Sequence, residues 1–389
     1  MYNDSPYVRG YTRTGQLVCL EHIEDSALRD ELADYLGPGT CSLCGVGGDE
    51  IVVECDQFME EIMNAVRVEY ERANDEGVPR EDGRWVVSTV SSEELVEEIC
   101  VFAVDAALQA VALDHVVPED WVYRDYEWPR PEASLRQGWD TFCEHIKHHS
   151  RFAFLSLEPE GPSEFGRYSP REMLDQISTI ARHLDMIHDV PAGTRVWRSR
   201  IEDDDAVPCT AKAMGPAPPQ RAAPNRMSPA GVAMFYGSED ADTAHREVLS
   251  HRPTGAPRGY QSTCSFRLTR TATVLDLARV RDMPSVFDTK ERDLRPFITF
   301  MRNFATDLAR PIPNDGREHI DYAPTQVLTE YLRYLSPLHV EGIRFRSAHG
   351  PSANYVLFIG PEECADPGRP EADALLVLEP ENFSQHPLP

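Results

Sequence analysis

The sequence predicts an α+β protein in which a small metal-type knuckle and a helical N-terminal domain precede a larger α+β domain. Three observations predict it. Two close pairs of metal-type ligands stand near the N-terminus, the middle third has helical apolar periodicity, and the last third breaks into short β-type runs between long polar or Pro-rich loops. The expected divisions are 1–48 for the knuckle module, 49–190 for the helical domain and 191–380 for the α+β domain. A chain of 389 residues exceeds one ordinary core and accommodates two domains with an accessory module.

The knuckle module begins with apolar Leu17 and Val18, followed by Cys19 and His22. A short helix is expected over 27–36, with Gly37-Pro38-Gly39 as its stop and a turn from Cys41 to Cys44. Cys19-x2-His22 and Cys41-x2-Cys44 offer four soft or borderline ligands, and a two-residue gap lets both members of a pair reach one tetrahedral ion. The expected metal is Zn²⁺. All four positions are taken by protein, so the ion is expected to be structural.

From about 50 to 190 the pattern is helical. Phe58, Ile62, Val66 and Tyr70 recur four apart, a stripe expected to be buried. Ser91 with Glu94 reads as a capping box ahead of LVEEICVFAVDAALQAV, and Ser169 with Pro170 and Glu172 as another ahead of MLDQISTIARHLDMI. After Val190 the runs TRVWR, AMFYG, TCSFRL, TVLDL, IRFR and NYVLFIG read as strands of a mostly antiparallel or mixed sheet, interrupted by helices near 241–249 and 325–335. The stretch 203–231 is rich in Asp, Pro and Ala and is expected to be a long functional loop.

Composition narrows the function. The hydrophobic fraction of 41% and charged fraction of 26% are those of a soluble globular protein. No apolar run reaches the roughly 18 residues a membrane span needs. MYNDSPYVRG has no apolar stretch behind a basic start, so no secretory signal is expected and the expected compartment is the cytoplasm. Nine cysteines, sparse and uneven, suit a reducing compartment. A formal net charge of -27 disfavours nucleic acid as a partner.

Three segments of the last third carry chemistry. Val196-Trp197-Arg198-Ser199-Arg200 is a strand with two guanidinium groups on one face. Asn225-Arg226-Met227-Ser228 precedes an apolar strand with Tyr236, then a helix with Ala244 and Glu247. Glu341-Gly342-Ile343-Arg344-Phe345-Arg346-Ser347 precedes Asn354-Tyr355-Val356-Leu357-Phe358. In order and spacing, over about 170 residues, these segments resemble the RES family of NAD⁺ phosphorylases and ADP-ribosyltransferase-like toxins. The family shows an early strand ending in arginine, a Gly-Arg-Phe-Asn loop, a tyrosine strand, a helix bearing glutamate and a late Asp-Gly-x4-Ser strand. Here Asn225, Met227, Ser228 and Glu341 replace the loop glycine, the Phe-Asn pair and the aspartate. The knuckle, with Gly138-Trp139-Asp140-Thr141-Phe142 leading to Lys147 and Arg151-Phe152, resembles the N-terminal domain found ahead of RES or HEPN domains.

The resemblance implies an ADP-ribosyltransferase-like fold for 191–380 and NAD⁺ as substrate. It also implies cleavage of the nicotinamide–ribose bond, with phosphorolysis the expected route, by a toxin or defence effector restrained by an antitoxin or regulatory protein. Arg198, Glu247 and Ser347 are the implied catalytic set, and Arg198, Arg226, Tyr236 and Ser347 the implied NAD⁺-binding set. Guanidinium groups suit a pyrophosphate, and a carboxylate suits the oxocarbenium charge that develops on the ribose. Taken singly, each of these residues also has an ordinary surface reading. Other readings stand beside this one: hydrolysis with water as acceptor, transfer of ADP-ribose to a protein, a pure binding module with an inactive RES domain, and a HEPN-type RNase built on Arg182 and His188, whose Arg-polar-x4-His spacing matches that class. His145, His148 and His149 lie close together on an expected helix, where an exposed polar face is favoured over a second metal site. Homo-oligomerisation is compatible with all of these readings.

Overall fold

The computed structural model describes residues 5–153, 168–202, 208–250, 259–312, 316–368 and 374–388. The chain divides into two compact units, Met1–Pro129 with Met283–Arg295, and Arg130–Asp282 with Pro296–Pro389. Both are α+β.

In the first unit α1 (Pro6–Arg9) leads to β1 (Leu17–Cys19), α2 (Ser26–Ala33), β2 (Gly37–Thr40) and β3 (Gly47–Glu54). The three strands form an antiparallel sheet in the order β1-β3-β2. The glycines expected to stop the helix are themselves strand residues of β2. A Cβ on Gly39 would lie 2.6 Å from Leu17 Cδ1, so any larger residue there would displace the Leu17 side chain of β1. Helix α3 (Cys55–Glu69) buries Phe58, Ile62 and Val66 as the periodicity requires, but Tyr70 begins β4 (Tyr70–Arg72). A hairpin of β5 (Arg80–Glu81) and β6 (Arg84–Trp85) follows, then β7 (Val90–Ser91).

The Ser91–Glu94 capping box is present at the start of α4 (Ser92–Cys100). The single helix expected from there to Val111 is two. The chain turns after Cys100, and Asp105 caps α5 (Ala106–His115) by accepting from the Ala107 and Leu108 amides at 3.1 and 3.0 Å. Val101 to Val104 is apolar throughout, so periodicity alone cannot see this corner; the aspartate cap makes it. Strand β8 (Asp120–Tyr123) completes a sheet in the order β4-β8-β7. The core gathers Phe58, Ile62, Leu95, Leu108 and Trp121, together with Phe287 from the returning segment.

The second unit holds the helices α6 (Pro131–His148) and α7 (Pro170–His183), which the sequence pattern groups with the N-terminal helices, in the same compact body as the large sheet. The Ser169–Glu172 capping box on α7 is present. Gly138 lies inside α6 because α7 crosses it closely: a Cβ there would lie 2.8 Å from Met173 Sδ. The chain continues through β9 (Ile187–Val190), β10 (Arg195–Glu202), α8 (Ala211–Met214), β11 (Phe235–Ser238), α9 (Ala241–Ser250), β12 (Gly259–Leu268) and β13 (Ala272–Asp276). Then come α10 (Arg295–Ala309), α11 (Glu318–Asp321), α12 (Ala323–Tyr334), β14 (Gly342–Arg346), β15 (Ala353–Leu357), β16 (Cys364–Ala365) and β17 (Leu376–Leu388).

Nine strands form one mixed sheet in the order β16-β17-β12-β10-β11-β15-β14-β13-β9, parallel only at β16/β17 and β13/β14. All six β-type runs of the sequence are in it. Its core includes Val196, Phe235, Phe266, Val274 and Leu357. Residues 203–207 of the expected long loop lie outside the described residues, and the rest carries α8 and then the Asn225–Ser228 bridge. Helix α10 is not anticipated from the sequence, although it buries Ile298, Met301 and Phe304; Pro296 sits at its second residue, where the first turn tolerates proline. Trp139 of α6 meets Phe304 edge-on at 4.9 Å and stacks with Phe142 at 5.2 Å.

Candidate active site and metal centre

Cys19 ends β1, His22 sits in the short turn after it, Cys41 follows β2, and Cys44 closes the next turn. One ligand atom of each lies within 4.8 Å of the others, a group that could hold a metal ion. Cys19 and Cys41 are buried. Burial opposes ionisation of Cys41, yet the amides of Cys44, Cys19 and Leu43 outweigh it and bring the thiol down to about 6. The His22 ring is 12% exposed, its Nδ1 lies 2.6 Å from Asp105 Oδ2, and its buried Nε2 has no hydrogen-bond partner. Three sulfurs and an orphaned ring nitrogen form a donor set that fits a tetrahedral cation. His145 and His149 have ring centroids 5.8 Å apart, and no third ligand completes a group with them among the described residues.

In the second unit a cleft of about 1060 Å³ is lined by Arg198, Arg226, Tyr236 and Glu247. Each arrives on a different element: Arg198 on β10, Tyr236 on β11, Glu247 on α9 and Arg226 on a loop. Arg198 comes from β10, where its Nη1 donates to the Tyr236 carbonyl at 2.5 Å and its carbon lies 5.2 Å from the Phe235 ring centroid. The Arg198 Nε is enclosed and unpartnered. Burial, reinforced by Arg200, lowers this guanidinium to about 9. Arg200, on the same strand face, donates instead to the Gly215 carbonyl at 2.5 Å and does not line the cleft.

Arg226 stands on a loop fixed from two sides. Its Nη1 donates to the Leu308 carbonyl at the end of α10, and its own carbonyl accepts from Thr325 Oγ1 on α12. Gln326 Nε2 donates to the Asn225 and Ser228 carbonyls at 2.8 and 3.2 Å. Burial lowers the Arg226 pKa. The Tyr236 hydroxyl pairs with Ser228 Oγ at 2.9 Å and accepts from the Met227 amide at 3.3 Å, and burial raises it to about 12. Met227 and Ser228, where the sequence departs from the Phe-Asn of the resembled loop, therefore occupy that hydroxyl. The tyrosine ring remains as a wall of the cleft.

Glu247, on α9, is held by two donors on one oxygen: Ser347 Oγ at 2.5 Å and Asn354 Nδ2 at 2.7 Å, both to Oε1. Among the described residues no donor occupies Oε2. Ser347 is itself oriented, its Oγ accepting from the His349 and Gly350 amides at 3.0 and 2.8 Å. Asn354 is oriented by Ser238 Oγ, which donates to its Oδ1 at 2.6 Å. Asn354 has no assigned role in the motif pattern; the signal for it in the sequence is a polar residue opening an otherwise apolar buried run. Below the site, Arg344 of β14 is buried and donates to both Asp276 oxygens at 2.9 and 2.8 Å, and through Nε and Nη2 to Glu239 Oε1 at 2.9 and 2.7 Å. Glu239 Oε2 accepts from the Ala353 amide at 3.0 Å. The network thus ties together the roots of α9, β14 and β15, the elements that deliver Glu247, Ser347 and Asn354.

Three other residues singled out in the sequence lie elsewhere. Glu341, in the place of the family aspartate, pairs with Arg270 at 2.6 Å and accepts from the Thr273 amide, which fixes the start of β13. Arg182 donates to the Pro337 carbonyl at 3.2 Å, while His188 sits on the edge strand β9, and neither lines the cleft.

A mixed-sheet α+β domain whose cleft gathers two arginines, a tyrosine and a doubly held glutamate follows a unit that carries a Cys₃His group able to hold a metal ion. Residues 195–375 match the RES domain and residues 35–160 match the HEPN/RES N-terminal domain 1, so the chain is a RES-domain protein with a HEPN/RES N-terminal domain in front. No curated protein matches the chain. No described helix is long and apolar enough to cross a membrane.

Proposed function

We propose that this protein degrades NAD⁺ by breaking the nicotinamide–ribose bond in the RES-domain cleft, with inorganic phosphate as acceptor, as a toxin or defence effector in the cytoplasm. The observation that carries the reading is the state of Glu247: among the described residues two donors hold Oε1 and none holds Oε2, in a cleft that also holds Arg198 and Arg226. Membership of the RES domain family supports NAD⁺ as the substrate.

The bond's electron pair leaves with nicotinamide, and positive charge develops on the ribose. A carboxylate with its second oxygen free stabilises that charge or orients a ribose hydroxyl. Arg198, with an enclosed and unpartnered Nε, and Arg226, whose pKa burial depresses, both gain from an anion, and a pyrophosphate supplies it. A phosphate oxygen then attacks the anomeric carbon and gives ADP-ribose 1″-phosphate. Tyr236 offers the nicotinamide a flat face. The Cys19/His22/Cys41/Cys44 group takes Zn²⁺ as a structural ion, since protein occupies all four positions.

The test is chromatographic. Purified protein is incubated with NAD⁺, with and without phosphate, beside Glu247→Gln. Nicotinamide release that falls by about 10²–10³-fold in the variant is expected from loss of a preorganised charge-stabilising group. Release that continues at full rate without phosphate makes the enzyme a glycohydrolase. ADP-ribose found on protein makes it a transferase. Intact NAD⁺ under every condition overturns the reading.

A further inference from the structure

We propose that Asp105 is the positioning residue of the metal centre, fixing His22 for an ion on one side and capping α5 on the other, so that metal loading is locked to the α4–α5 corner. The inference rests on reading Cys19, His22, Cys41 and Cys44 as a metal site.

The geometry is specific. Asp105 Oδ2 lies 2.6 Å from His22 Nδ1, so a carboxylate there takes the ring proton onto Nδ1. The lone pair then falls on Nε2, the buried atom with no hydrogen-bond partner. A neutral imidazole of that tautomer is a metal ligand, and a carboxylate behind it raises its basicity and locks the ring plane.

The same carboxylate is not free to drift. Asp105 Oδ1 accepts from the Ala107 and Leu108 amides at 3.1 and 3.0 Å, and the Asp105 amide donates to the His22 carbonyl at 2.9 Å. Ile23 and Val104 form a β-bridge, and the Ala103 carbonyl accepts from the Glu24 and Asp25 amides at 2.8 and 3.1 Å. Ile23, Ala103 and Val104 are buried in the unit's core. The knuckle and the corner are therefore stitched by backbone, and Asp105 is the side chain that joins the ligand to the helix.

The two roles separate by substitution. Asp105→Ser keeps an oxygen for capping, at which serine is about as good as aspartate, but is too short to hold His22 Nδ1 at the same time; Asp105→Ala loses both functions. Full-length wild-type and variant proteins are stripped with chelator, and Zn²⁺ affinity is measured against a chromophoric competitor. Thermal melting of the stripped forms and amide exchange at Ala107 and Leu108 are followed in parallel. Wild type is expected to take one equivalent of Zn²⁺, and Asp105→Ser to bind it about 10–100-fold more weakly. The stripped Asp105→Ser protein is expected to melt with stripped wild type, and stripped Asp105→Ala below both. Zn²⁺ is expected to slow exchange at Ala107 and Leu108 in wild type and not in Asp105→Ser. An Asp105→Ser protein that holds Zn²⁺ within twofold of wild type overturns the positioning role and leaves Asp105 a helix cap. Failure of wild type itself to bind overturns the metal reading beneath it.

Discussion

Among the described residues Glu247 receives two side-chain hydrogen bonds, both on one oxygen, and this makes Ser347 and Asn354 residues that act through it. The serine proton is committed to the glutamate, while its oxygen is fixed by two backbone amides. Ser347→Ala is therefore expected to lower kcat by on the order of 10²-fold with little change in KM, because a loosened carboxylate misplaces its free oxygen. In a Glu247→Ala background the same change is expected to cost nothing further; an additive loss in steady-state kinetics of the double variant would give Ser347 its own contact with substrate. Arg198, Arg226, Tyr236, Glu247 and Ser347 were legible as types in order along the chain, since motif spacing survives without coordinates. Asn354 and the capture of the Tyr236 hydroxyl by Ser228 were not, because both depend on which strands become neighbours. Strand β11 pairs with β15, which puts Ser238 opposite Asn354, a register no linear pattern contains.

At the scale of elements, β12 and β17 run together through an irregularity that polar side chains close. Thr263 pairs with Ser384, but Ser265 pairs with Glu379, so β17 carries the extra residues. Glu379, nearly buried, accepts from Arg195 Nε at 2.8 Å, Ser265 Oγ at 2.7 Å and Asn382 Nδ2 at 3.3 Å. Burial would raise its pKa, but these donors outweigh it and hold the carboxyl below its ordinary value. A depressed folded pKa stabilises the protein above the unfolded value of about 4.3 and is lost as pH falls through the folded one. Glu379→Gln is expected to cost about 1–3 kcal/mol near neutrality through the weakened donors, and to narrow its deficit against wild type as pH drops below about 4. Melting curves across pH 3–7 check it, and a deficit that stays constant in acid would refute the assignment. Strand β17 is not among the runs the sequence suggests, and it holds Pro380 and Pro387; it borders the sheet beside the two-residue strand β16, where a missing amide donor is tolerable.

For the whole molecule, the informative mismatch is where one body ends. Helical periodicity runs without a break in character from α3 to α7, and a pattern of that kind cannot say which core a helix joins. Trp139 and Phe142 of α6 sit against Phe304 of α10, and α6 also pairs Arg136 with Asp307 and Lys147 with Asp321. On α7, Ser178 reaches Ser336, and Asp175 accepts from the Tyr331 hydroxyl of α12. Helix α12 in turn supplies Thr325 and Gln326, which hold the Arg226 loop. Cutting the chain at 190 thus removes the partners of the helices that support a cleft arginine. A 191–389 fragment is expected to lack a cooperative melting transition, since burying Trp139, Phe142, Met173, Leu174 and Ile177 contributes roughly 1.5–3 kcal/mol each. A 130–389 fragment keeps those contacts. It is expected to melt cooperatively, and differential scanning calorimetry of the two fragments decides the matter. If 191–389 unfolds in a single sharp transition, α6 and α7 are dispensable to the RES domain and α10 and α12 hold the Arg226 loop without them.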